Sequence, residues 1–139
     1  MAPAAVAGLA AILIIPTAID PAIANPETVI PSEPFSEPRL AELRAQGRPV
    51  FVYFTADWCL TCKVNERGAM AREDVARSFS GRNVAVLAGD WTRGDPAIGR
   101  FLEKQGRSGV PLYLYYAPGR PPEILPQILT VDRLTGLAG

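Results

Sequence analysis

The sequence contains no histidine, which excludes Ser-His-Asp triads, Cys-His nucleophiles and histidine-ligated metals. Cysteine is nearly absent too: only Cys59 and Cys62 occur, separated by Leu60 and Thr61. A structural zinc site needs about four ligands, and this chain cannot supply the usual set. Charge of either sign is not in excess, with 14 basic and 14 acidic side chains. No basic footprint for nucleic acid follows from that balance. Methionine is limited to Met1 and Met70, which argues against a thioether-assisted site for Cu(I). A complete membrane span is also missing. The uncharged run from Ala4 to Ile15 falls short of the roughly 20 apolar residues a span requires.

What is present fits one globular domain with something left over at an end. The chain has 139 residues, 48% of them apolar and 20% charged. Residues 1–24 form an apolar segment with two readings. Ala22-Ile23-Ala24 follows the apolar run as in a cleaved export signal, although no Lys or Arg precedes that run. The alternative is the end of a transmembrane helix. Both place the following domain outside the cytoplasm; a helix buried in the domain itself is the third, blander reading. Residues 25–38 (NPETVIPSEPFSEP) hold four prolines and three glutamates and read as an extended linker. The folded domain is expected over 39–139.

Within it, helical and strand patterns alternate. Arg39–Gln46 reads as a helix ended by Gly47, and Pro49–Thr55 (PVFVYFT) as a buried central strand. A helix is expected from Cys59 to Arg67, another over Arg72–Ser80, and a buried strand over Asn83–Asp90. Asp95-Pro96 opens a helix that runs to Gln105. Val110–Tyr116 and Glu123–Gln127 read as strands joined at Pro118-Gly119, with a last helix over Val131–Leu137. The order α-β-α-β-α-β-β-α predicts an α/β thioredoxin fold: a mixed sheet of about four strands with helices on both faces.

The cysteine pair sits where strand meets helix. There, unsatisfied N–H groups and the helix dipole stabilise a thiolate on the first cysteine. The second lies one turn further in, able to attack a mixed disulfide on the first. Cys59 is thus expected to be the exposed nucleophile and Cys62 the shielded resolving thiol. Attachment of c-type haem would need histidine directly after the second cysteine, and this chain has Lys63. A purely structural disulfide spans too few residues to constrain much. It and a Cu(I)-binding thiolate pair are the non-enzymatic alternatives.

Around that pair, Phe51–Glu66 (FVYFTADWCLTCKVNE) resembles the C-terminal periplasmic domain of the DsbD family of transmembrane thiol–disulfide interchange proteins, the copper-sensitivity-suppression variant included. Gly89-Asp90-Trp91-Thr92 and Gly109-Val110-Pro111 extend the likeness, which covers roughly residues 39–137. The resemblance implies a thioredoxin fold that takes electrons from a membrane-embedded cysteine pair and passes them to periplasmic disulfide proteins, without a cofactor. Isomerases, cytochrome-maturation thioredoxins and copper-stress proteins are the candidate partners, and the sequence does not choose among them. It assigns the redox roles to Cys59 and Cys62. It makes Pro111 a cis-proline, with the Val110 backbone offered to an extended substrate segment. Glu66, four residues after Cys62, matches an acidic residue that tunes the cysteines, and helical spacing places it on the face of Cys62. Its alternative is a solvated surface glutamate.

One family feature is missing: the buried carboxylate six residues before the first cysteine is replaced by Tyr53. Among the supporting residues, Trp58 is expected beside the disulfide, shaping the docking surface, or else covering the core edge. Asp57 either holds the active-site loop or is a turn residue. Lys63 either favours thiolates or is an ordinary exposed lysine. Asp90 and Trp91 have no role beyond packing and turn formation, and Tyr113, Tyr115 and Tyr116 belong to the sheet.

Potentials in this fold class run from roughly −270 to −120 mV. Leu60-Thr61 supplies neither a histidine to stabilise a thiolate strongly nor a proline to stiffen the turn, which points to a reducing or intermediate potential. An oxidase or isomerase is the enzymatic alternative, but isomerases usually work as dimers. No dimerisation segment is evident here, so a monomeric domain is expected.

Overall fold

The computed structural model describes residues 28–137. Its elements are β1 (Glu33–Pro34), α1 (Glu37–Ala45), β2 (Val50–Thr55), α2 (Leu60–Arg67), a 3₁₀ turn (Ala69–Ala71), α3 (Glu73–Gly81), β3 (Ala85–Asp90), α4 (Pro96–Lys104), β4 (Leu112–Tyr116), β5 (Glu123–Ile124) and α5 (Val131–Thr135). Local chemistry sets the helix starts. The Ser36 hydroxyl accepts from Arg39 N, Asp95 accepts from Ala97 N and Ile98 N, and Thr130 accepts from Arg133 N. Gly47, at φ +71°, lets the chain turn from α1 toward β2.

The strands form one mixed sheet in the order β1-β3-β2-β4-β5. β2 is central, parallel to β3 and antiparallel to β4. Its side chains alternate between two cores. Phe51 and Tyr53, with Tyr113 and Tyr115 of β4, pack against Met70, Val75, Phe79 and Leu134. Val50, Val52 and Phe54 face the opposite side, where Leu40, Leu43, Ile98, Phe101 and Leu102 cover them. Helices therefore lie on both faces, as the element order predicts. Each such Leu or Phe, fully buried, contributes about 1.5–3 kcal/mol before entropy is charged.

The sheet has five strands rather than about four, because the stretch read as a linker takes part in it. Glu33 and Pro34 pair in parallel with Leu87 and Ala88, and Phe35 N donates to Ala88 O at 2.8 Å. Ile30 and Ser32 are buried, and the Phe35 ring lies 4.8 Å from both Phe54 and Phe101. Packing thus begins before Arg39. A proline is tolerated there because an edge strand needs no donor on its open side. Arg39 fastens the strand to α1 through Glu33, at 2.8 and 3.1 Å. The expected apolar segment at 1–24 lies outside the described residues.

Other boundaries shift by a residue or two. β4 begins at Leu112, directly after the cis peptide bond at Val110–Pro111. β5 is cut to Glu123–Ile124, two residues short of Pro126, which has no N–H to continue a ladder.

Candidate active site

β2 ends at Thr55 and the chain turns through Ala56-Asp57-Trp58 into α2, so the cysteines stand at the sheet's end. Cys59 caps α2, its backbone extended and its Sγ 3.2 Å from Cys62 N. The two cysteines are joined as a disulfide, with Cα atoms 5.3 Å apart. Cys62 is fully covered and Cys59 is 7% exposed. Sequence reasoning expected an exposed nucleophile. In the disulfide state Cys59 is instead covered, because it packs with Ala56 and Cys62 beneath Val110. What reaches solvent is its surroundings: Trp58 at 61% and Leu60 at 79%.

The loop before Cys59 is braced from β3. Asp90 accepts from Thr92 N at 2.9 Å and from the Thr92 hydroxyl at 2.5 Å. That hydroxyl oxygen accepts from Asp57 N at 2.9 Å, and Thr92 O accepts from the Trp58 indole at 3.2 Å. The Trp91 ring lies 6.3 Å from Trp58. Asp90 and Trp91, for which the sequence suggested packing and turn formation, supply the turn and the ring contact of this brace. Thr92, which sequence reasoning did not single out as a functional residue, is its keystone; the signal was the Asp-x-Thr turn pattern. Asp57 holds the loop by its backbone, while its side chain is exposed.

Glu66 is fully buried, which removes the reading as a solvated surface residue. Its Oε2 lies 3.4 Å from Lys63 Nζ, and the same ammonium is 3.9 Å from Asp57 Oδ1. Lys63 is not an ordinary exposed lysine: its side chain is 20% exposed and joins a surface carboxylate to a buried one. Tyr53, in place of the family carboxylate, is buried opposite Tyr113 in the β2–β4 ladder. Burial pushes the Tyr113 phenol well above its ordinary pKa. The Asn65 hydrogen bond works against that shift, and the nearby Glu66 and Tyr53 add to it. Asn65, also missed, is buried and donates to Tyr113 OH at 2.8 Å and Gln127 O at 2.7 Å, while accepting from Leu129 N at 3.0 Å. It ties the 127–129 loop to α2. No local motif could have revealed partners so far along the chain.

A cavity of about 400 Å³ opens beside this group, walled by Tyr53, Thr55, Asp57, Lys63, Ala88 and Asp90 among others. Among the described residues no group of three or more acidic, cysteine or histidine side chains could hold a metal ion. A helix-capping disulfide, with a cis-proline beside it and a carboxylate buried one turn on, can perform thiol–disulfide exchange.

A family model described as thioredoxin-like matches residues 32–118. The chain belongs to the thioredoxin-like family. This thioredoxin-like chain is 36% identical over 80 residues to the thiol:disulfide interchange protein DsbD 1 of Pseudomonas aeruginosa, spanning 58% of this chain and 13% of that protein. It is 34% identical over 83 residues to DsbD of Vibrio cholerae, spanning 59% of this chain and 14% of that protein. The chain thus spans only a small part of the length of these curated relatives. The oxidised C-terminal domain of Neisseria meningitidis DsbD superposes with a TM-score of 0.59 at 20% identity, covering 74% of this chain and 94% of that domain. Chloroplastic thioredoxin z superposes at 0.57 with 26% identity, covering 78% and 92%. The thioredoxin fold and the DsbD resemblance read from the sequence are both borne out.

Proposed function

We propose that this chain is a thiol–disulfide oxidoreductase that works as a reductase on the periplasmic side of a bacterial inner membrane. It would draw electrons from a membrane-embedded cysteine pair and pass them to disulfide-containing partners. The observation that carries this reading is the Cys59–Cys62 disulfide at the start of α2, packed against Val110, which precedes cis-Pro111. The likeness to DsbD proteins supports the electron source and the direction. The apolar N-terminal segment supports an exported domain. Among the described residues no helix is long and apolar enough to cross a membrane.

In the reduced form the N–H groups at the start of α2 stabilise the Cys59 thiolate, which attacks a partner disulfide. An extended partner segment lies along Val110 and Pro111, with Trp58 and Leu60 forming the rim. Cys62 then gives its proton to Glu66, and its thiolate attacks Cys59 Sγ. The mixed disulfide breaks, the partner's sulfur leaves as a thiolate and takes a proton from water, and the Cys59–Cys62 disulfide forms. Two electrons pass to the partner. Cys62, fully covered, has no direct route to water for its proton, which is why a buried carboxylate on its own face suits the step.

Trapping tests the assignment. Cys62→Ser, reduced and mixed with a peptide disulfide, accumulates a mixed disulfide at Cys59 by mass analysis, and Cys59→Ser forms none. A mixed disulfide that maps to position 62 in preference to 59 would overturn it. Glu66→Gln tests the proton acceptor: the resolving step slows and its pH dependence flattens. An unchanged pH profile would contradict the role of Glu66.

A further inference from the structure

The reading above leaves a proton on a fully buried carboxylate, with no account of how it leaves. Glu66 is 0% exposed, and the Lys63 ammonium is placed against it from the outside, 3.4 Å from Oε2. Lys63 is also a wall of the 400 Å³ cavity. It touches buried acid on one side and, on the other, space large enough for several waters. Thr55 lines the same space.

We infer that Lys63 is a positioning residue of the resolving step, and that the cavity it walls is the route by which the Cys62 proton leaves Glu66 for solvent. This rests on the exchange reaction proposed above. Between turnovers the ammonium is the counter-charge of Glu66, holding the carboxylate ready in a site where an uncompensated charge is costly. When Glu66 takes the proton from Cys62, that counter-charge is released toward the exposed Asp57, 3.9 Å away. Cavity water then accepts the proton, and Lys63 returns to the carboxylate. The charged and titratable groups around Lys63 and Glu66 are Asp57 in the loop, Tyr53 on β2 and Tyr113 on β4, with Glu33, Asp90 and Asp95 further around the cavity. In a chain that has Tyr53 where the DsbD resemblance places a second carboxylate, this lysine is the charge that conditions Glu66.

The test separates the two chemical steps. The reduced 139-residue chain is mixed with one equivalent of dithiobis-nitrobenzoate. A first nitrothiobenzoate leaves as Cys59 attacks, and a second leaves as Cys62 resolves the mixed disulfide. In Lys63→Met the second release slows about tenfold at pH 7, because the buried carboxylate that takes the Cys62 proton loses its counter-charge. Its half-maximal pH moves upward, while the first release stays within about twofold. Lys63→Arg restores the second release to within about threefold. Ala88→Leu, or Ala88→Val where the larger residue prevents folding, narrows the cavity without altering any charge and also slows the second release.

A second release unchanged in Lys63→Met, or equally slow in Lys63→Arg, overturns the role of Lys63. An unchanged rate in the folded Ala88 variants overturns the cavity route. If Glu66→Gln slows the second release and Lys63→Met does not, this inference falls while the exchange reading stands. A wild-type protein that releases no second equivalent removes the exchange reading itself.

Discussion

Replacing Asn65 with alanine should weaken the fold far more than its place on a surface-lining helix suggests. The side chain is 1% exposed and makes three hydrogen bonds: to Tyr113 OH, to Gln127 O and from Leu129 N. Each contributes about 1 kcal/mol net, and a buried group left without a partner costs about 1–3 kcal/mol. Leu129 is itself buried, so its N–H gains little from water after the truncation. The sum is a loss of about 4–6 kcal/mol, a large share of a typical total of about 5–15 kcal/mol. Asn65→Asp should lose more than this. It keeps the acceptor for Leu129 N but loses both donors and sets a second buried carboxylate next to Glu66. Urea unfolding measures the loss as a midpoint shift of about 2–3 M at an unchanged slope of about 2 kcal/mol/M. Hydrogen exchange at the Leu129 amide should rise with it. A loss below about 1 kcal/mol with Leu129 still protected would show that the loop is held by packing alone, and the reasoning would fail.

Alkaline pH should destabilise the protein through its buried tyrosines. Burial raises the Tyr113, Tyr115 and Tyr116 phenols above their ordinary value of 10.0. The folded state then keeps protons that the unfolded chain releases, so stability is intact below pH 10 and falls as pH rises beyond it. Tyr113→Phe should lower stability at neutral pH and make its decline above pH 10 shallower; an equally steep decline counts against Tyr113 as a source. Gly89→Ala should cost about 1–3 kcal/mol, because the added Cβ would lie 2.4 Å from the buried Phe54 ring. Thermal unfolding measures it, and an unshifted midpoint would mean that the ring yields freely. Thr92→Val keeps the shape of the brace but removes the acceptor for Asp57 N. Exchange at the Asp57 amide should quicken and attack by Cys59 should slow a few-fold, whereas an unaltered Asp57 amide would mean the loop holds without Thr92.

The redox pair was legible because two cysteines three apart, between a β-branched run and a helix, leave few other chemistries in a chain without histidine. The two central strands and the helix opened by Asp95-Pro96 were legible from run length and capping. The edge strand was not. Glu33-Pro34 carries no strand propensity, and it exists because Ile30 and Phe35 on either side are buried or packed against rings of the core. The burial of Glu66 was only half legible. Its spacing from Cys62 was visible in the sequence, but α2 is eight residues long and its aliphatic residues, Leu60 and Val64, are the exposed ones, so apolar pattern does not mark the side that meets the sheet. Asn65 was invisible for a different reason: its partners lie 48 to 64 residues away, and only the closed fold brings them together. The Lys63 bridge was hidden likewise, since a lysine in a first helical turn reads as surface until a cavity is seen behind it.

The direct test of the central claim is the reduction potential of the Cys59–Cys62 pair. Protein equilibrated in graded glutathione buffers and thiol-trapped for mass analysis gives the value, with Trp58 fluorescence as a second readout. A reductase fed from a membrane cysteine pair predicts about −200 mV or lower. A value near −120 mV would mark an oxidant and contradict the direction of electron flow proposed for this site.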